Sequence, residues 1–283
     1  MGTPNLLVSI LKTPWQMARE YYHRLPQADF DWSFGSDAVR QRAARELDTL
    51  RRDGIVLLPG YFSGAQLERL HAAFERVIAE RPHRSLVDSY QNTDFMATDP
   101  VFLEAALDDL LLEIVGGYYR KPFGIGNMSA LRLLPTPATR DNALWHHDTR
   151  GRQLHAMLLL DEVRPDGQRM SYLRESHHRY YPPHRAVAEG SRFENDMQRE
   201  LASPGVAQRV AELAGPAGTV GLFDANGLHT MNRNPGARRD TVTFYYVSYR
   251  HFKNVTYRSA DVAALPPDKQ KVVRFNPKAK LVD

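Results

Sequence analysis

Two histidines and an aspartate stand together in the segment LWHHDTRG, residues 144–151. In an extended backbone, side chains two positions apart point to the same side, so His146 and Asp148 can reach one ion while His147 points away. An imidazole nitrogen and a carboxylate oxygen are ordinary ligands of divalent metals. A His-x-Asp pair is common by chance, so a metal site requires a third ligand elsewhere in the chain.

A third candidate ligand, His229, follows the turn in GLFDANGLHT. Two histidines and one carboxylate form the facial triad that leaves coordination positions open and suits non-heme Fe(II). Arg239 and Thr241 begin the next predicted strand and share one of its faces. An arginine beside a hydroxyl suits the bidentate grip of a carboxylate, so these two predict an acidic ligand close to the metal.

The chain has no cysteine, which excludes disulfides, iron–sulfur clusters, thiolate zinc sites and cysteine nucleophiles. A zinc hydrolase that uses His146, Asp148 and a further histidine is the alternative from another class. Such hydrolases often carry the helical pattern HExxH, which is missing from this sequence. A non-catalytic binding protein is disfavoured because it would not need a complete set of metal ligands.

The charge balance is slightly basic, with 37 basic and 33 acidic residues and a formal net charge of +4. Arg150 and Arg152 directly follow the predicted metal aspartate, and Arg174 is expected near the mouth of the site. These arginines suit an anionic substrate, and solvated loop charge is the alternative interpretation. No basic helix or interleaved basic and aromatic run stands out, so nucleic acid is not a predicted partner.

The N-terminal segment does not resemble a secretory signal, and no apolar run is long enough to span a membrane. We therefore expect a cytoplasmic protein. Apolar residues recur between positions 6 and 15 of this segment. We favour packing of the segment on the body of the protein, with peripheral binding to a membrane surface as the alternative.

The periodicity of apolar residues predicts helices over residues 36–52, 63–81 and 99–119, the last closed by Gly116 and Gly117. Short β-like runs separated by proline and glycine follow, interrupted by a polar segment, about 194–213, that is predicted to be helical. Helices first and strands afterwards indicate one α+β domain over residues 1–283, with its helices packed outside a barrel or sandwich. An N-terminal extension, a helical flank, a β core and a C-terminal tail cover residues 1–35, 36–119, 120–250 and 251–283.

Three segments together resemble the phytanoyl-CoA dioxygenase-like branch of the Fe(II)/2-oxoglutarate oxygenases: LWHHDT, GQRMSYLRESHH and the stretch that joins His229 to RRDT. The opening RRDGIVLLPGYFSGAQLERL is similar to that family's start of helix, strand and helix. The likeness covers roughly residues 40 to 250. It implies a double-stranded β-helix core, a jelly-roll of the cupin type, with N-terminal flanking helices.

The same resemblance implies His146, Asp148 and His229 as the iron ligands. It implies Arg239 as the anchor of the distal carboxylate of 2-oxoglutarate, with Arg238 as a rival because spacing in the family varies. The remaining candidates for contact with the co-substrate are Thr241, Asn127 and Arg132. His155 is interpreted as a strand histidine with satisfied hydrogen bonds, and a place in the pocket wall is the alternative.

The implied cofactors are Fe(II), 2-oxoglutarate and O2, with ascorbate as a stimulant. The implied reaction hydroxylates an unactivated C–H bond and converts 2-oxoglutarate to succinate and CO2. Halogenation is disfavoured because relatives that halogenate replace the metal carboxylate, here Asp148, by a small residue. One departure from the family concerns its PGSH turn, where this chain has Arg174-Glu175-Ser176-His177. The change puts the turn geometry in question, although His177 stays a candidate for substrate contact.

The whole chain also resembles the Kdo 3-hydroxylases of lipopolysaccharide assembly in Gram-negative bacteria. This resemblance implies hydroxylation at C3 of the outer Kdo sugar of a lipid A precursor, at the cytoplasmic face of the inner membrane. An anionic sugar on a lipid would account for both the arginines and the apolar start of the chain. The alternative within the family is hydroxylation of a soluble natural product or amino-acid metabolite.

Overall fold

The structure is a computed structural model. The residues that it describes are 25–80, 84–86, 89–135, 144–148, 153–179, 194–231, 236–249 and 251–283. Within these ranges, no helix is both long and apolar enough to cross a membrane.

Two long helices precede most of the strands, as predicted. Helix α1 covers Asp37–Asp53, and the Ser36 side chain accepts the amide of Val39 at its start. Gly54 ends this helix with φ of 81°, a left-handed conformation that glycine adopts without steric cost. Helix α2 covers Gly64–Glu80 and buries one apolar face against the sheet.

The third predicted helix is wrong in detail, because the chain forms two helices there. Helix α3 covers Pro100–Ala106 and α4 covers Asp109–Tyr119, with the Asp108 carboxylate accepting the Leu111 amide as the N-cap of α4. The predicted closing glycines instead lie inside α4. A Cβ on Gly117 would meet Cδ2 of Leu47 at 2.6 Å, so this glycine permits the close packing of α4 on α1.

The larger sheet has seven antiparallel strands in the order β1-β8-β5-β10-β4-β3-β2. Their bounds are Ile55–Leu58 for β1, Arg84–Leu86 for β2, Ser89–Asn92 for β3, Gly124–Leu133 for β4, Gln153–Leu159 for β5, Val220–Asp224 for β8 and Arg239–Val247 for β10.

The smaller sheet has three antiparallel strands in the order β7-β6-β9. Their bounds are Met170–Leu173 for β6, Val210–Leu213 for β7 and His229–Met231 for β9. The predicted helix over 194–213 is wrong at its end: helices α5 (Glu194–Leu201) and α6 (Val206–Arg209) are followed by β7. Pairing of β7 with β6 and burial of its alternate residues outweigh the local preference for helix.

Alternation along the strands separates two hydrophobic layers. On β10, Val242, Phe244 and Tyr246 join the large core between the sheet and the helices. The other face of the larger sheet packs against the smaller sheet, where Met157 and Phe223 meet residues of β6 and β7. We call the space between the two sheets the barrel interior, because one end of it holds the candidate metal ligands.

The C-terminal residues form elements that the sequence did not predict. Strand β11 (Val255–Arg258) and strand β12 (Ala279–Val282) pair in parallel, and helices α7 (Ser259–Ala263) and α8 (Pro267–Arg274) lie between them in sequence. The side-chain amide of Asn276 donates to the Ile125 carbonyl. This part of the chain therefore packs on the outer face of β4, away from the interior.

Candidate metal centre

The structure brings the three predicted ligands together at one end of the barrel interior. His146 and His229 form an antiparallel bridge in which each amide donates to the other residue's carbonyl over 2.9 Å. The Asp148 amide donates to the Ala225 carbonyl in the turn before β9. One ligand atom from each of His146, Asp148 and His229 lies within 4.8 Å of the other two. Ligands that are distant in sequence are thus fixed by main-chain hydrogen bonds.

Both histidines are oriented by a hydrogen bond at Nδ1. His146 Nδ1 donates to the Leu144 carbonyl at 2.8 Å, and His229 Nδ1 donates to the Gly227 carbonyl at 3.0 Å. With Nδ1 protonated in this way, Nε2 carries the lone pair that a metal needs. These two Nε2 atoms lie 3.4 and 3.6 Å from the Asp148 carboxylate. The arrangement suits a small cation between the three groups.

The site favours an ionised carboxylate. Burial by itself would raise the pKa of Asp148, but the neighbouring His229 and His146 hold the pKa well below its usual range. Burial also lowers the pKa of His146, and the hydrogen bond to Asp148 outweighs it and raises that pKa.

His155 is a neighbour of the site, in agreement with the alternative that the sequence analysis gave for it. Its Nδ1 lies 3.6 Å from the Asp148 carboxylate, and its ring packs between Phe223 and Tyr245. Its Nε2 is buried without a hydrogen-bond partner, so the expectation of a satisfied strand histidine is wrong. The sequence feature that indicates this place is the position of His155 near the start of β5, a few residues after Asp148. His147, also buried, is not part of the metal-ligand group.

The inner face of β10 presents a row of polar side chains to the interior. Arg239 and Thr241 are each 1 % exposed, and Thr243 and Tyr245 follow on the same face. One Nη of Arg239 donates to the Gln168 carbonyl at 2.7 Å, and the other lies 2.9 Å from the sulfur of Met231 on β9. Asn127 on β4 pairs with Tyr245 in the register, so it shares this face.

Arg238 and Arg132 lie on the opposite face of the sheet. Arg132 donates to both oxygens of Asp240 and to Glu75 on α2. Arg238 lies 3.3 Å from the same Asp240 carboxylate. The structure therefore separates both arginines from the triad, and between the two rivals only Arg239 faces the interior.

Of the four substrate candidates, the structure describes Arg174 and His177, and neither lies at the triad. Arg150 and Arg152 lie outside the described residues. Arg174 is exposed, and its main chain is hydrogen-bonded to Arg209. His177 is buried, and its Nε2 donates to the Arg51 carbonyl at 3.1 Å. The latter two lie beside the end of α1 and not among the metal ligands.

The turn that departs from the family's PGSH pattern has a left-handed residue, Glu175, at the position where that pattern has glycine. Glu175 takes φ of 66°, a left-handed conformation that glycine would adopt at no cost. Ser176 Oγ donates to the Leu173 carbonyl and accepts the amide of Leu228, the residue before His229. The side-chain amide of Asn226 donates to the His177 carbonyl. We call residues 174–178 the Ser-His turn, and it braces the loop that carries the third ligand.

Solved structures with the same fold were found, whereas no family model and no curated protein matches the chain. EctD from S. alaskensis with bound Fe is 22% identical, covering 79% of this chain and 83% of that one, with a TM-score of 0.59. HygX from Streptomyces hygroscopicus with nickel and 2-oxoglutarate is 18% identical, covering 75% and 89%, with a TM-score of 0.55.

A third neighbour is SnoN, a non-heme alpha-ketoglutarate-dependent epimerase from nogalamycin biosynthesis. It is 17% identical and covers 74% of this chain and 81% of that one, with a TM-score of 0.54. At these identities the likeness establishes a shared fold.

Proposed function

We propose that this protein is a non-heme Fe(II)/2-oxoglutarate-dependent oxygenase that hydroxylates an unactivated C–H bond. The observation that carries the proposal is the convergence of His146, Asp148 and His229 ligand atoms within 4.8 Å. The fold neighbours support it, because they include non-heme alpha-ketoglutarate-dependent enzymes and structures with bound iron or 2-oxoglutarate. We further infer that the two facing sheets form a double-stranded β-helix.

The donor set fits Fe(II). Two neutral imidazoles and one carboxylate satisfy half of an octahedral ion and leave three positions for small ligands. When bound, Fe(II) supplies the coordination sites for a 2-keto acid and O2, and with them the oxidation of 2-oxoglutarate to succinate and CO2. The chain holds the ion with His146, Asp148 and His229, and main-chain carbonyls fix the tautomer of both histidines.

The co-substrate is assigned to the inner face of β10. Arg239 is the anchor for the distal carboxylate of 2-oxoglutarate, and Thr241, two residues further on the same face, adds a hydroxyl donor. The Gln168 carbonyl holds one arm of the guanidinium, so little side-chain entropy is lost on binding. Asn127 lies on the neighbouring strand and faces the same interior.

The same wall of the interior continues as an aromatic and polar surface across β5, β10, β4 and β3. His155 packs against Tyr245 with ring centroids 4.3 Å apart. Burial raises the pKa of Tyr245 above its usual value, and its hydroxyl is hydrogen-bonded with Ser129. The Gln91 side-chain amide also donates to Ser129. These neutral groups offer hydrogen bonds that would orient a substrate beside Asp148.

For the substrate we propose C3 of the outer Kdo sugar of a Kdo-lipid A precursor, acted on at the cytoplasmic face of the inner membrane. The support is the resemblance of the whole chain to Kdo 3-hydroxylases and the arginines that follow Asp148 in sequence. A soluble natural product is the second candidate, because SnoN comes from nogalamycin biosynthesis and HygX has been crystallised with hygromycin B.

Succinate formation tests the oxygenase class. Purified protein with Fe(II), 2-oxoglutarate, ascorbate and O2 should produce succinate. The Asp148→Ala variant should form no succinate and should lose tight binding of Co(II), which is measured by the absorption spectrum of the bound ion. Asp166→Ala, which removes an exposed carboxylate from a loop, is the matched control and should retain both. Absence of succinate from the wild type, with hydrolysis of an ester or amide when Zn(II) is bound, would favour the zinc hydrolase.

A mass-shift screen tests the substrate. Kdo-lipid A precursors and soluble sugar or amino-acid metabolites are each incubated with the iron-loaded enzyme, and a gain of one oxygen is scored. A gain only on a soluble metabolite would overturn the Kdo proposal and leave the oxygenase class intact. Removal of residues 1–22 should reduce activity on lipid-linked substrate, and unchanged activity would refute peripheral membrane binding through this segment.

A further inference from the structure

A second cleft lies outside the barrel interior, where α1, α4 and the Ser-His turn meet. Its volume is about 380 Å³. It shares one structural element with the metal centre, because Asp224 ends β8 on the cleft side and the next residue, Ala225, accepts the Asp148 amide. The lining residues that matter for its chemistry are Arg51, Tyr118, Arg120, His177, His178 and Asp224.

The cleft is lined by two guanidinium groups, and no acid among the described residues forms an ion pair with either of them. Arg51 donates from Nη2 to the Gly117 carbonyl at 2.8 Å, a contact that leaves its charge uncompensated. Arg120 forms no side-chain hydrogen bond or ion pair in the part of the chain that the structure describes. Both groups belong to the same wall, because Gly117 and Arg120 lie within one turn at the end of α4.

Three nearby arginines outside this cleft are paired with acids. Arg52 forms an ion pair with Asp53 at 2.8 Å. Arg209 and Arg179 both contact the buried carboxylate of Glu200. Among the described residues, the positive charge that no acid pairs in this region therefore lies at Arg51 and Arg120 in the cleft and at the exposed Arg174 beside it.

The one carboxylate of the cleft is already engaged. Asp224 is 2 % exposed, accepts the Tyr118 hydroxyl at 2.6 Å through one oxygen and accepts the Asn226 amide at 2.9 Å through the other. It therefore lies below the floor of the cleft and is not aimed at the two arginines. Asp224 offsets only part of the positive charge of the cleft, so an anion above it would still be attracted.

Arg120 occupies a backbone position that costs free energy. Its φ is 52°, and at this helix end glycine is the favoured residue. Non-glycine residues in this conformation are strained, and such positions cluster at ligand-binding sites. The negative end of the helix dipole also favours a cation here, so the helix end contributes to the preference for an arginine.

Two imidazoles complete the cleft. His177 is fixed by its hydrogen bond to the Arg51 carbonyl, and its ring centroid lies 3.9 Å from that of the exposed His178. Planar guanidinium forks bind the oxygens of phosphate in pairs, and the exposed imidazole of His178 adds a further donor, whereas both nitrogens of His177 are buried or already bonded. A dianion with three terminal oxygens satisfies this set of donors better than a carboxylate with two.

We propose that this cleft is a binding site for a phosphomonoester group, separate from the metal centre. The cleft is larger than inorganic phosphate alone, so the group is carried by a sugar or a lipid. The site does not depend on the iron chemistry, and the two sites are connected through the loop between β8 and β9, whose Ala225 carbonyl accepts the Asp148 amide.

The test measures binding to the full-length protein of three probes: inorganic phosphate, glucose 1-phosphate, and phosphatidylcholine vesicles that contain phosphatidic acid. Calorimetry serves for the soluble probes and co-sedimentation for the vesicles. Vesicles with phosphatidylglycerol, a phosphodiester, are the reference for general attraction to anionic membranes. Saturable binding of glucose 1-phosphate supports a soluble ligand, and binding to phosphatidic acid alone supports a lipid headgroup.

Two variants remove charge from the cleft. Arg120→Gly also relieves the left-handed backbone, so it should fold with an unchanged or higher Tm and yet weaken phosphomonoester binding about 10- to 100-fold. Arg51→Gln should weaken binding by a similar factor. Arg45→Gln removes an exposed arginine from the same helix outside the cleft, so it is the matched control and should bind like the wild type.

Three results would overturn the proposal. One is equal loss of binding in Arg45→Gln and Arg120→Gly, which would indicate general surface charge. Another is equal binding to phosphatidylglycerol and phosphatidic acid. The third is saturation by inorganic phosphate alone, or by no probe. Succinate formation is measured in the same preparation, so a protein that makes succinate but binds no phosphomonoester overturns the cleft and not the oxygenase.

Discussion

Acidification should destabilise the metal-free protein through His155. Its ring is buried beside Phe223 and Tyr245. Burial lowers the pKa of His155 to about 3, and although Asp148 acts in the opposite direction, repulsion from the other site histidines adds to the decrease. In the unfolded chain a histidine titrates near pH ~6.5. The unfolded state therefore takes up this proton first, and stability is lost as the pH falls from about 6.5 towards 3.

The size of the effect follows from the two pKa values. At pH 5 the unfolded histidine is stabilised by protonation by about 2 kcal/mol, whereas the folded histidine is almost entirely neutral. Two neighbours titrate as well. Asp148 has a pKa well below its usual value, so its contribution to stability is present above about pH 4 and is lost only at lower pH. His146 has a raised pKa, so its contribution increases on acidification.

Comparison of the wild type with His155→Gln isolates the effect. The free energy of unfolding is measured by urea titration in EDTA at pH 7 and pH 5 for both proteins. The variant lacks the buried imidazole but keeps the other titrating groups of the site, so its loss of stability between the two pH values should be about 2 kcal/mol smaller than that of the wild type. Equal losses in the two proteins would refute the assignment of a neutral, buried His155.

Three further predictions concern the co-substrate, an ion pair and a helix contact. Arg239→Gln should raise the KM for 2-oxoglutarate about 100-fold by removing charge-assisted hydrogen bonds, whereas Arg238→Gln on the other face should leave it unchanged; the reverse result in a succinate assay would move the anchor to Arg238. Asp240→Asn should cost ~3 kcal/mol in urea unfolding, because its carboxylate is fully buried and holds two arginines; a cost near zero would contradict that role. Gly117→Ala should lower the free energy of unfolding by ~1–3 kcal/mol through the clash with Leu47. A rise in Tm would show instead that α1 can shift to accommodate the added methyl group.

The local signals in the sequence predicted local structure well. Ser36 and Gly54 carried the cap preferences that set the ends of α1, and the alternation in DTVTFYY gave the two faces of β10. The errors arose where distant contacts decide. The glycines of α4 looked like a helix end, but Gly117 is inside the helix because Leu47 of α1 packs against it.

Strand alternation could have removed one false candidate. Asn127 and Arg132 are five positions apart on β4, so they point to opposite faces and cannot both reach the co-substrate. To choose between Arg238 and Arg239, one must know which face of β10 is turned towards the interior. A shift of one residue in register exchanges the two faces of a strand, and only the pairing of β10 with its neighbours fixes that register.

The sequence by itself determined the chemistry available at the site: nitrogen and oxygen ligands in the order His146, Asp148, His229, and the absence of thiolates. The triad suits iron, and the family resemblance implies 2-oxoglutarate; structural neighbours are known with bound Fe and with bound 2-oxoglutarate. Only the tertiary structure joined the first and third ligands, through the bridge between His146 and His229. It also placed His155 against Asp148 and gathered Arg51 and Arg120 in one cleft. Residue type and short spacing are local properties of the chain, whereas the faces and partners of distant strands are set by burial and hydrogen bonding over the whole fold.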